Sequence, residues 1–450
     1  MQHITLFDYI LLPLYIALFY WRVKKTANAY SSADLKKFMV TAFALRMFGT
    51  IAYSMVVQYY YGYGDSFTYY DGGDFFTQQI NKDSSSISYL FSSFTDSLDW
   101  YNSSSVEAGS SGFFATPENN MVMRISAVLS YLSFNKFLII SLFFGFFSFW
   151  GQWKLFLVFD DINKQRNRKL LAYAILYSPS LWFWGSGLLK DSICLGAIGF
   201  IIHILYKFFA KRKFSLFDLL SLVFFIFLIT MVKPYITNIV CVGIVVMLFS
   251  LFLKTIKNKI LRLFFLLISI MMTGVLLYAS NFAEQINEMT EESVMQIQQF
   301  QHNYQSVNDS EETSKAGYGL GELGSSVGSL ILKSPLVIFT CLFRPFLWES
   351  GKAIILFTSL ESLMVFISTL FVMVKMGIIS FFRAIFTTPH LLFCFTISML
   401  FALIIGFTTF NFGTMVRYKI IFLPFYYFLL VNLYTNYIAS KKQTAAAALP

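Results

Sequence analysis

Apolar runs of about 20 residues, enough to cross a hydrocarbon core, recur along this chain between short basic segments. That alternation constrains the fold more than any other feature. TLFDYILLPLYIALFYW (5–21), KKFMVTAFALRMFGTIAYSMVV (36–57) and FLIISLFFGFFSFWGQWKLFLVF (137–159) are early examples. Hydrophobic residues make up 57% of the 450 and charged ones only 13%, about half the share usual in a globular domain. A soluble fold is excluded. The expectation is an all-α, polytopic membrane protein.

The net charge of +10 is not a nucleic-acid signature, because its basic residues fall in WRVKK (21–25), NKQRNRK (163–169), KFFAKRK (207–213) and KTIKNKILR (254–262), between apolar runs. Lys/Arg-rich loops stay in the cytoplasm, so these runs set orientation. Threaded accordingly, the spans fall near 5–22, 38–60, 136–158, 169–182, 191–208, 216–232, 235–253, 261–279, 352–375, 390–408 and 418–437. That gives about 11 spans, with the N-terminus outside and the C-terminus inside. Residues 1–440 then form one integral membrane domain with exterior segments at 61–121 and 280–350, and 443–450 (QTAAAALP) reads as an appended tail. MVMRISAVLSYLSF (121–134) has the mixed pattern of an interfacial helix. No internal repeat is visible, which weakens a transporter reading.

With this threading the unusual polar residues gather on the outer side. YGYGDSFTYYDGGDFF (61–76) sets Asp65, Asp71 and Asp74 directly after the second span. Lys190 and Asp191 stand in FWGSGLLKDS, Lys233 in VKPY, Arg344 and Glu349 in FRPFLWES, and Asn411, Arg417 and Lys419 in FNFGTMVRYK. Cations are disfavoured in outer loops, so Lys190, Lys233, Arg344 and Arg417 are candidate ligands of an anion such as phosphate. The aspartates supply what cations cannot, a general base or a ligand for a hard ion. Asp65 and Asp74 are the candidate metal ligands, and Mg2+ or Mn2+ is the ion they suit. Asp191, Glu349 and Asn411 are supporting residues, joined by Glu361, an intramembrane carboxylate. Together these groups suit attack by an acceptor hydroxyl on a sugar held by a lipid phosphate.

Many spans with an acidic motif in the first large exterior loop resemble the GT-C membrane glycosyltransferases. GDSFTYYDGGDFF is also similar to the exterior motif of EpsG-like, Wzy-type polysaccharide polymerases, although its order is G-D-S where that motif has G-[TS]-D. The first resemblance implies a polyprenyl-phosphate-linked sugar as donor, a glycan or protein acceptor, and Asp65 as the catalytic or metal-binding carboxylate with Asp71 and Asp74 as helpers. The second implies that Arg344 and Arg417 bind a lipid pyrophosphate. Both imply a bacterial inner membrane.

Blander readings stand beside these. Asp71-Gly72-Gly73-Asp74 reads equally as a turn followed by a helix cap. Lys190 with Asp191 reads as a local ion pair, and Arg344 with Glu349 as another. A lipid-linked-glycan flippase, a transporter and a non-catalytic component of a surface-assembly complex remain alternatives. GLGELG (319–324) matches a dinucleotide-binding pattern but lacks a preceding strand. The four cysteines and four histidines show no metal-ligand spacing.

Overall fold

The computed structural model describes residues 3–104, 114, 116–164, 166–257, 327–349 and 353–447, with a few positions between 295 and 302. The described chain is helical and holds no extended strand. Seven of its helices are long and apolar enough to cross a membrane, or eight if one bent pair is a single span. The eighth expected span, at 261–279, and most of the exterior segment after it lie outside the described residues.

The chain divides into two compact units, Met1–Thr237 and Asn238–Pro450. The first begins with α1 (Leu6–Asn28) and α2 (Ala33–Val56), matching the first two expected spans. Asp8 is wholly buried and caps two helices at once. Its carboxylate accepts from the backbone and hydroxyl of Thr5 at 2.8 and 2.7 Å, closing a capping box on α1, and from the backbone N–H of Leu138 at 3.0 Å. Such caps satisfy N–H groups left without partners in the first helical turn.

The described part of the segment expected outside is helical: α3 (Asp65–Lys82), α4 (Phe94–Ser104) and the start of α5 (Pro117–Leu132). Asp71-Gly72-Gly73-Asp74 is therefore no turn. It lies inside α3, where the glycines let α5 approach: a Cβ on Gly72 would stand 2.4 Å from the Met123 sulfur, and one on Gly73 2.6 Å from the Ser126 hydroxyl. The tyrosine hydroxyl of Tyr69 donates to Asn119, and Thr77 bonds Ser130, so α3 and α5 run parallel. α5 is thus packed along α3.

At the centre stands α6 (Phe137–Ile162), buried on nearly every side. It crosses α9 (Lys190–Phe209) at glycines: a Cβ on Gly151 would meet the Gly196 carbonyl at 1.9 Å, and one on Gly199 the Gly151 carbonyl at 2.0 Å. Small residues at a crossing let apolar helices pack where no hydrophobic force drives them together. The expected fourth span is broken, with α7 (Arg168–Leu176) and α8 (Pro179–Trp184) separated at Ser178 and followed by an unwound stretch at 185–189. α10 (Leu216–Val232) is apolar but only 17 residues long.

The boundary between units falls in the first turn of α11 (Pro234–Thr255). The second unit continues with α12 (Val327–Phe343), α13 (Ala353–Met376), α14 (Ile378–Thr387), α15 (Pro389–Thr408), α16 (Phe412–Lys419) and α17 (Leu423–Ala447). α12 is an apolar helix within a segment expected to lie outside. α16 and α17 meet at 61°, so the last expected span is bent. α17 runs on to Ala447, through most of the expected tail.

Candidate functional site

In the first unit three helices begin at one end: α3 at Asp65, α5 at Pro117 and α9 at Lys190. The ring of Phe67, two residues into α3, shares a buried cluster with Tyr53, Val57, Phe137 and Leu189, the residue that precedes Lys190. The hydroxyls of Tyr53 and Ser66 bond at 3.1 Å. Gly187 makes this approach possible: its φ of +153° suits only glycine, and a Cβ there would stand 2.3 Å from the Tyr53 ring. Half-buried Asp65 and Lys190 are thereby anchored to the same apolar cluster.

Around Lys190 the charges alternate. Glu118, Lys233 and Asp191 lie within its electrostatic reach. The Lys233 ammonium donates to the Asp191 carboxylate at 2.5 Å, with side chains 8% and 0% exposed. The expected pairing of Lys190 with Asp191 is thus replaced by Lys233 with Asp191. Lys190, half-buried at the head of α9, makes no hydrogen bond to a described residue. Glu118, which sequence reasoning passed over, completes the group.

The other two aspartates are otherwise engaged. Asp71 meets the imidazole of His3 at 2.9 Å and keeps a 60% exposed side chain. Asp74 accepts from the side-chain amides of Asn135 at 2.5 Å and Gln78 at 2.7 Å. At about 100° per residue, Asp71 and Asp74 lie about 60° apart around α3, whereas Asp65 and Asp74 stand on opposite faces and about 13 Å apart along the axis. Tyr70, between them, has its hydroxyl pKa raised by burial and then by the nearby charges of Asp74, Asp8 and Asp71.

Two side chains inside apolar runs carry a signal legible in the sequence, an ionisable group in a span. One is Asp8. The other is Arg46, only 1% exposed, which reaches the broken span. Its guanidinium donates to the carbonyls of Leu181 at 2.8 Å and Gly185 at 2.5 Å, to the Ser186 hydroxyl at 3.3 Å, and to Gln152. Unwound backbone at membrane depth needs such internal partners. Arg46 thus fixes the stretch that leads to Lys190.

Beside the charged cluster runs a groove. One part, about 510 Å³, lies between α5, α6, α9 and α10 and is walled by Phe143, Phe147, Trp150, Phe200 and Leu228 among others. The adjoining part, about 770 Å³, is bounded by the 90–94 turn, α5 and α10, with Asn120 and Arg124 in its wall. Met121, Ile125, Leu129 and Phe224 border both. Pro117 and Met231, in the lining of the adjoining part, stand next to Glu118 and two residues before Lys233 in sequence.

The second unit carries the remaining candidates. The Arg344 guanidinium donates to both Glu349 oxygens and lies 5.2 Å over the Phe412 ring, so the ion-pair reading of these two holds. The buried Lys419 ammonium donates to the Arg344 carbonyl, and Glu361 lies within its electrostatic reach. Glu361, 8% exposed, accepts from the Tyr427 hydroxyl at 2.6 Å. Asn411 caps α16 through the N–H groups of Gly413 and Thr414. Arg417, half-buried, lies 5.3 Å over the Tyr418 ring.

Among the described residues no group of three or more His, Cys, Asp or Glu side chains converges as metal ligands. No protein-family model, curated protein or solved structure matches the chain.

Proposed function

We propose that this protein moves a sugar from a polyprenyl-phosphate or -pyrophosphate carrier to a glycan or protein acceptor on the outer face of a bacterial inner membrane, as a transferase or a polymerase. The observation that carries the reading is Lys190: a half-buried ammonium without a hydrogen-bond partner among the described residues, heading a helix, ringed by other charges. An ammonium and a helix N-terminus together favour a phosphate. In this reaction Lys190 holds the carrier phosphate, and Asp65 takes the proton of the acceptor hydroxyl. The hydroxyl oxygen bonds to the anomeric carbon as the bond from that carbon to the phosphate oxygen breaks. The lipid phosphate leaves with the electron pair. The separation of Asp65 from Asp74, on opposite faces of α3, does not suit a Mg2+ or Mn2+ ion shared between them.

The topology that accompanies this reading keeps the N-terminus and the heads of α3, α5 and α9 outside, about 11 spans in all. Reconstituted protein given a lipid-linked sugar and an acceptor tests it. Asp65→Asn and Lys190→Gln should each lower turnover by about a hundredfold or more at unchanged protein yield. Unchanged turnover in both removes the mechanism.

A second reading has one observation in its favour. Glu361, Tyr427 and Lys419 form a buried ionisable group in the second unit, as ion or proton pathways require. Solute or lipid movement in proteoliposomes, abolished by Glu361→Gln, would select transport instead.

A further inference from the structure

The groove beside α5 is not needed by the chemistry above, and its construction indicates an occupant of its own. We infer that it seats one anionic, two-chain phospholipid of the bilayer, with its phosphate at Arg124 and an acyl chain in each part of the groove. The headgroup end rests on charge. Arg124 donates Nε–H to the Asn120 side chain at 2.6 Å, and its terminal nitrogens to the carbonyls of Leu90 at 3.3 Å, Ser92 at 2.8 Å and Ser93 at 3.2 Å. Those four bonds leave one of the five guanidinium N–H donors over. All four acceptors are neutral, and among the described residues no carboxylate lies within ion-pair distance of Arg124. A half-buried positive charge with only neutral partners is complementary to a phosphate. Burial also lowers the Arg124 pKa from its ordinary value, a cost that an anion in contact would offset.

The tail end rests on shape and chemistry. The part beside α6 and α9 is walled by hydrocarbon and aromatic side chains, and the part beside the 90–94 turn is polar only near Asn120, Arg124 and the serines at 92 and 93. Met121, Ile125, Leu129 and Phe224 line both parts, so the two adjoin along α5 and α10. Two adjoining apolar parts with a single cation in the wall of one suit two chains joined at one phosphate. The lining comes from the first unit throughout. α5 turns one face, with Met123, Ser126 and Ser130, to α3 and the other, with Met121, Arg124 and Ile125, to the groove. An occupant would therefore brace the helix against which the aspartate-bearing α3 is packed.

The experiment uses the full chain, purified in mild detergent and relipidated with equal amounts of phosphatidylglycerol and phosphatidylcholine, with retained lipid read by native mass spectrometry. Wild-type protein should retain one phosphatidylglycerol in preference to phosphatidylcholine. Arg124→Gln should reduce that preference roughly tenfold, the scale of one charge-assisted hydrogen bond, and Arg124→Lys should keep most of it. Ile125→Trp, which fills the groove and leaves the Arg124 bonds in place, should lose both lipids. Equal retention of the two lipids by wild type, or no change in Ile125→Trp, overturns the inference. So does displacement of the bound lipid by an equimolar single-chain lipid phosphate, which would make the groove a carrier site. Because retention is read without turnover, failure of the proposed sugar transfer leaves this result standing, and the converse holds.

Discussion

Replacing Lys233 by methionine removes one partner of an ion pair whose side chains are 8% and 0% exposed and whose charges meet at 2.5 Å. Losing one member of a buried pair costs about 3–5 kcal/mol, because the other charge stays out of water without its partner. Lys190 also lies within electrostatic reach of Asp191 and softens the loss, so the lower end applies. About 3 kcal/mol is more than a hundredfold in the folding equilibrium. Asp191→Leu combined with Lys233→Met removes both charges at similar volume and should recover to within about 1 kcal/mol of wild type. Thermal unfolding in nanodiscs, followed by tryptophan fluorescence, ranks the three proteins. The double variant should unfold well above the single one yet show impaired transfer, since a charge next to the phosphate-binding lysine is gone. A single variant as stable as wild type, or a double variant no better than the single, refutes the reasoning.

Three further outcomes follow from the packing and the charges. Gly151→Leu places side-chain atoms where the Gly196 carbonyl stands 1.9 Å from a bare Cβ, so α6 and α9 must separate; well above the ~1–3 kcal/mol of ordinary overpacking is expected, seen as lost monodispersity in size-exclusion chromatography. Arg46→Leu strips the carbonyls of Leu181 and Gly185 of their donor at ~1–3 kcal/mol each, whereas Arg46→Lys restores part of this; hydrogen exchange at 185–190 should rise in the first and less in the second. The side chain and backbone of Ser85 hold the Asp83 carboxyl below its usual pKa. A depressed folded value means that its contribution to the 84–90 helix is present above the unfolded pKa of about 3.9 and lost as pH falls through the folded one. Exchange of those amides should therefore quicken below about pH 4 relative to those of α3, and an unchanged ratio would contradict it.

Membrane class and most spans were legible because apolar length is a property of the sequence itself. The first three expected spans coincide with α1, α2 and α6, and that at 191–208 with α9. The break at Ser178-Pro179 follows from Pro179, which cannot continue a helix; what the sequence does not reveal is that Arg46, 135 residues away, holds the backbone beyond it. Aspartates and glycines are common in turns, yet the glycines of Asp71-Gly72-Gly73-Asp74 serve a helix crossing, which only the position of Met123 and Ser126 reveals. In the site, Lys190, Asp191 and Lys233 were singled out together, but which carboxylate pairs with which lysine depended on folding. Glu118 and Arg124 went unremarked because nothing local separates them from solvated charges. Arg344 with Glu349 needed only their five-residue spacing.

Turnover of a lipid-linked sugar by Asp65→Asn, compared with wild type at equal folded protein in the same proteoliposomes, bears most directly on the central claim. The account expects turnover to fall by about a hundredfold or more, with binding of the lipid phosphate retained. Wild-type turnover in Asp65→Asn, with Lys190→Gln equally active, would contradict it.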